Sequence, residues 1–241
     1  MNKNKRYKIF FFGILVILQF IIVSFPLTNT LHFEFSAINS VIIFFFSAVY
    51  VIKYYQNMGV IQFLKSNYLV LLLLIALPFL FGVLSTIFLS ECPFGEGIFF
   101  FLVIAVPNLL FGITFGIYIS LFYKSYKATL ILLVITLLLL ISPLIEIYFN
   151  PGFKFYNLIF GYFPGTIYDE NISIDTRLLL FRFLNVVLFS IALFLYKYIR
   201  DFRNAKIYLI IFCVVIFVFN IPLKGVLGFS ITKGVLNNHF S

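Results

Sequence analysis

The stretch KSYKATLILLVITLLLLISPLIEI, Lys124–Ile147, decides the fold. From Ala128 to Ile147 it carries a single charge, Glu146, at its far end, while Lys124 and Lys127 stand just ahead of it. About 20 apolar residues in a helix reach about 30 Å, the thickness of bilayer hydrocarbon. The segment therefore reads as a membrane span with its basic end on one side and its acidic end on the other.

Working outward, six more stretches have the same character: Ile9–Pro26, Phe35–Ile52, Tyr68–Leu89, Ile98–Phe122, Leu178–Tyr196 and Ile207–Leu223. Together they predict an all-α polytopic helix bundle of about seven transmembrane helices over residues 1–223, followed by a short tail at 224–241. Phe35–Ile52 is the weakest of them, being short and carrying Asn39 and Ser40 near one end. Composition points the same way. The chain is 63% hydrophobic and 10% charged, against about 25% charged in ordinary soluble domains.

Charge then sets the orientation. Counted from a cytoplasmic N-terminus, the inner loops hold Lys3, Lys5, Arg6, Lys8, Lys53, Lys65, Lys124, Lys127, Lys197, Arg200, Arg203 and Lys206. The outer side holds Lys154, Arg177, Lys224 and Lys233, with Arg182 inside a span. The acids run the other way: Glu34, Glu91, Glu96, Glu146, Asp169, Glu170 and Asp175 fall outside and Asp201 inside. The positive-inside rule thus gives N inside and C outside. The net charge of +9 is spread over several inner segments rather than gathered on one face, so it implies lipid headgroups as partners and no nucleic acid. The first span reads as a retained signal-anchor. Abundant Lys, Ile, Asn and Phe fit an AT-rich bacterial genome, and hence a bacterial inner membrane. Cys92 in an outer loop and Cys213 within the last span sit at different depths, so two free thiols are expected.

Two connections stand out. Lys53–Asn67 mixes apolar and polar residues at roughly helical spacing. It reads either as an interfacial helix or, more simply, as the ends of two spans joined by a turn at Gly59. The outer connection Tyr148–Thr176 holds eight aromatics: Phe149, Phe153, Phe155, Tyr156, Phe160, Tyr162, Phe163 and Tyr168. A flexible linker would be polar. This one is expected to be an ordered cap, with a Pro164–Gly165 turn of type II order, a polar patch at Asp169–Glu170 and Asp175 capping the next helix.

Chemistry-bearing residues inside the spans are few. Glu146 and Arg182 lie at similar depth and could form an ion pair; alternatively each snorkels to the interface. Gly112 and Gly116 form a Gly-x-x-x-Gly that lets helices approach closely, within the monomer rather than across a dimer. Pro78, Pro107 and Pro143 are expected to kink their spans. Asp169, Glu170 and Asp175 could hold a hard cation with Glu91 or Glu96, but acidic outer loops are ordinary under the charge rule. The sequence has no His-Glu-x-x-His, no Gly-x-Ser-x-Gly and no phosphate-cradling loop. No catalytic, metal or cofactor residue is assigned, and the chain is not expected to be an enzyme.

Three stretches carry a resemblance: FYNLIFGYFPGTIYDE (Phe155–Glu170) after Asn150–Pro151, CPFGEG (Cys92–Gly97), and ITKGVLNNHFS (Ile231–Ser241). Together they resemble the membrane portion of uncharacterised bacterial proteins in which several spans precede an extracytoplasmic gluzincin-like domain of the peptidase MA type. That domain and its zinc motif are absent here, so no catalytic residue carries over. The resemblance implies an anchor or scaffold half, its tail truncated, for an extracytoplasmic activity of peptidase type. The alternative is the permease subunit of a type-2 ABC exporter, which would need a separate ATPase chain. Six spans would place its C-terminus inside, against the count above.

Overall fold

The computed structural model describes residues 3–55, 59–89, 94–123, 126–149, 155–163 and 174–201. It is predominantly helical: α1 (Lys3–Ser24), α2 (Phe33–Tyr54), α3 (Val60–Leu89), α4 (Phe94–Phe100), a π-helical turn (Phe101–Ala105), α5 (Pro107–Ser120), α6 (Tyr126–Phe149) and α7 (Thr176–Asp201), with a hairpin of β1 (Phe155–Asn157) and β2 (Gly161–Phe163) between α6 and α7. Among the described residues six helices are long and apolar enough to cross a membrane, with α4, the π-turn and α5 forming one of them. This is the pattern of a multi-pass membrane protein. The stretch expected to form a seventh span, Ile207–Leu223, lies outside the described residues, as do Cys92 and Cys213.

The helix weakest by sequence is central. In α2, 56% of the span window is buried, as in α4–α5, against 22% for α1 and α6. The polar residues that weakened α2 as a span are what let it sit there. Ser36, Asn39, Ser40 and Ser47 are all buried, and each hydroxyl or amide returns a hydrogen bond to a carbonyl three or four residues back. Asn39 Oδ1 also accepts from Gln19 Nε2 of α1 at 2.7 Å. In hydrocarbon such groups must find partners within the protein.

Gly112 and Gly116 seat α5 on α2. A Cβ at Gly112 would collide with the Phe44 carbonyl and the Ser47 hydroxyl, and one at Gly116 with the Ala48 carbonyl and Val51. The pair thus brings two helices of the same chain into backbone contact. From there Phe111 packs its tilted ring against Phe189 of α7, centroids 4.4 Å apart, and the Tyr118 hydroxyl donates to the Ala192 carbonyl at 2.9 Å.

The stretch Lys53–Asn67 shows no separate surface helix among the described residues. α2 ends at Tyr54 and Val60–Asn67 forms the first turns of a continuous α3. Pro78 and Pro143 lie inside α3 and α6, while Pro107 starts α5.

A re-entrant hairpin clamped by a buried arginine

The hairpin is the least ordinary element, because an open strand pair in hydrocarbon exposes backbone groups with no water to bond them. Its register pairs Phe155 with Phe163, Tyr156 with Tyr162 and Asn157 with Gly161. That leaves Leu158, Ile159 and Phe160 as the tip. A tip in water would be polar. This one is apolar because it is inserted: Leu158 and Ile159 pack with Phe44, Ala48, Phe111, Phe115, Leu132 and Phe189. The expected cap over the helix ends is therefore deeper than a cap, within its described part. Gly161 closes the turn with φ +84°, a conformation glycine adopts without steric cost.

Insertion is possible because neighbouring side chains meet the tip's backbone groups. Asn157 Oδ1 accepts from the backbone N–H of Ile159 at 2.7 Å and of Phe160 at 3.3 Å. Arg182 of α7, 3% exposed, supplies the donors for the carbonyls. Its Nη1 donates to Leu158 O at 2.6 Å, and its Nη2 to Ile159 O at 2.8 Å and Ile104 O at 3.3 Å. Asn108 Nδ2 donates to the same two carbonyls, Ile104 at 2.6 Å and Ile159 at 2.8 Å. Arginine's rigid fork of donors suits this task, where a lysine would offer one point charge. Arg182 Nε and Asn108 Oδ1 are buried without a partner. A Cβ at Gly161 would lie 3.3 Å from Arg182 Nη2 and 3.6 Å from Nε. Glycine is needed there twice, for its backbone angle and for its missing side chain.

A proline prepares one of the acceptors. Proline has no N–H, so the carbonyl four residues before it loses its helical donor. Pro143 leaves Leu139 O in that position, and Asn157 Nδ2 donates to it at 2.8 Å, joined by Ser142 Oγ at 2.9 Å. Ile104 lies in the π-turn just before Pro107. Such π-turns are rare and often mark functional sites.

At the mouth of the hairpin Asp175 caps α7, accepting from Leu178 N at 2.8 Å. The Tyr156 hydroxyl donates to the other Asp175 oxygen at 3.4 Å. Burial and the neighbouring Asp175 carboxylate push the Tyr156 phenol well above its ordinary range, so it stays a neutral donor.

Of the residues singled out by sequence, Arg182 is at the centre of this cluster and Gly112 and Gly116 pack behind it. The Glu146 side chain lies outside the described residues, as do Pro164, Gly165, Asp169 and Glu170. Among the described side chains no carboxylate pairs with Arg182; its hydrogen bonds run to three backbone carbonyls. Sequence reasoning missed Asn157, Gly161 and the partnership of Asn108. Their signal was an apolar tip between Asn and Gly, and an Asn directly after Pro107. Among the described residues no group of three or more His, Cys, Asp or Glu is placed to hold a metal. Comparisons with protein-family models, curated proteins and solved structures return no match.

Proposed function

We propose that this chain is a non-catalytic membrane module, an anchor or scaffold for an extracytoplasmic activity at a bacterial inner membrane. In this proposal a seventh span follows at Ile207–Leu223, the N-terminus is cytoplasmic and the C-terminus lies outside. The observation that supports it best is the clamped hairpin. Arg182 Nη1 and Nη2, Asn108 Nδ2 and Asn157 Nδ2 are all spent on the chain's own carbonyls. A transport path needs polar groups free to meet cargo, whereas a docking platform needs a fixed surface. The charge pattern supports the orientation, and the resemblance noted above supports a partner of peptidase type on a separate chain.

Two measurements test this. A reporter active only outside the cytoplasm should work when fused after Gly234 and fail after Arg203; activity at Arg203 contradicts the topology. Photo-reactive residues should replace Phe94 and Thr176, exposed at the hairpin end, and Tyr126, exposed at the opposite end. The proposal expects cross-links to an extracytoplasmic protein from Phe94 and Thr176 alone. An ATPase cross-linked from Tyr126 would replace it with an exporter permease.

A further inference from the structure

The end of the bundle opposite the hairpin carries a second arrangement of cations, built on different residues. Tyr7 and Lys8 open α1, while Tyr50, Lys53 and Tyr54 close α2. Each helix lays its lysine over the other's tyrosine. Lys53 Nζ lies 3.4 Å from the centroid of the Tyr7 ring, and Lys8 Nζ lies 5.3 Å from that of Tyr54 and 5.9 Å from that of Tyr50. The rings form one row, Tyr7 to Tyr54 at 5.9 Å and Tyr54 to Tyr50 at 4.6 Å. The row is fixed to a third helix, since the Tyr50 hydroxyl donates to Asn67 Oδ1 at 2.7 Å.

Two like charges are thereby held on adjacent rings. The described carboxylates, Glu34, Glu96 and Asp175, all lie at the starts of α2, α4 and α7, at the hairpin end. A ring face satisfies an ammonium electrostatically but accepts few of its hydrogen bonds. Each Nζ carries three N–H donors, so both keep donors for an acceptor with spread negative charge. Just beyond Lys8, Ile9 and Phe10 are exposed apolar side chains on the same helix.

We propose that Lys8, Lys53, Tyr7 and Tyr54 form a binding site for the phosphate of an anionic lipid headgroup. The two ammoniums share its non-bridging oxygens, and the acyl chains lie along the exposed side chains of α1. That apolar surface favours a lipid over free phosphate, which would have no use for it. The site does not depend on which side of the membrane this end faces.

The test uses the full chain purified in detergent, with bound lipid counted by native mass spectrometry and the melting midpoint followed in parallel. Phosphatidylglycerol should be retained and should raise the midpoint, while phosphatidylcholine and inorganic phosphate at equal concentration should not. The Lys8→Gln/Lys53→Gln variant should bind phosphatidylglycerol about tenfold more weakly or worse. Arg6→Gln/Lys65→Gln removes the same charge outside the tyrosine row and should leave binding near wild type. Lys8→Arg/Lys53→Arg should retain it. If the glutamine pair does not yield folded protein, Lys8→Gln alone should show the same loss in smaller degree. Equal loss in both charge-removing pairs would reduce the site to diffuse attraction and overturn the proposal. Equal stabilisation by inorganic phosphate would overturn the lipid as its ligand.

Discussion

The two ends of this bundle solvate their cations in opposite ways. At the hairpin end Arg182 is buried and donates to three backbone carbonyls. At the other end Lys53 is exposed and Lys8 half-buried, and both rest on tyrosine rings. Depth explains the difference. Within the span no water reaches the charge, so fixed backbone dipoles must replace it, and those dipoles need the cation as much as it needs them. At headgroup level water and lipid are at hand, and an aromatic face is support enough. Removing the first cation therefore orphans carbonyls, while removing the second orphans nothing.

That contrast orders the expected effects. Arg182→Ala leaves Leu158 O without its donor and weakens Ile159 and Ile104, a cost of about 3–5 kcal/mol. It should lower the melting midpoint in detergent far more than Arg177→Ala, at the exposed start of α7. Comparable losses for the two would break the comparison.

Asn157→Ala should cost about 2–3 kcal/mol, since it removes the acceptor for two tip N–H groups and the donor to Leu139 O. Asn157→Asp buries a carboxylate facing Leu139 O at a position 3% exposed, so at neutral pH it should be no better than alanine, and it should recover in acid, where the protonated carboxyl again both accepts and donates. If acid brings the aspartate no recovery relative to alanine, the tip bonds are not what matters.

Gly161→Ala should cost about 1–3 kcal/mol, from the left-handed backbone and from contact with the guanidinium. In the Arg182→Ala background the second part vanishes, so the two substitutions should together cost less than their sum. At the opposite end Lys53→Gln should cost about 1 kcal/mol or less in lipid-free detergent.

What the sequence revealed follows the same physics. The positions of six spans were legible because they rest on composition, which is local. The centrality of α2 was not. Asn39 and Ser40 lowered its apolar average, and an average does not say that both face the bundle, with Asn39 meeting Gln19. Arg182 drew notice as a charge within a span, either paired with Glu146, whose side chain lies outside the described residues, or snorkelling alone. Its observed acceptors are carbonyls of Ile104, Leu158 and Ile159, and a backbone acceptor leaves no mark in residue type. Pro143 was read as a kink, yet what it contributes here is a carbonyl, Leu139 O, that the hairpin's Asn157 uses.

The central claim is that the hairpin tip is inserted and that Arg182 holds it there. In a background with Cys92 and Cys213 replaced by serine, Ile159→Cys and Thr176→Cys can be compared for labelling by a membrane-impermeant maleimide. Thr176 is exposed at the start of α7 and Ile159 is fully buried. The account predicts rapid labelling at position 176, none at 159, and labelling at 159 once Arg182→Ala is added. Labelling at 159 as fast as at 176 with Arg182 in place would contradict it.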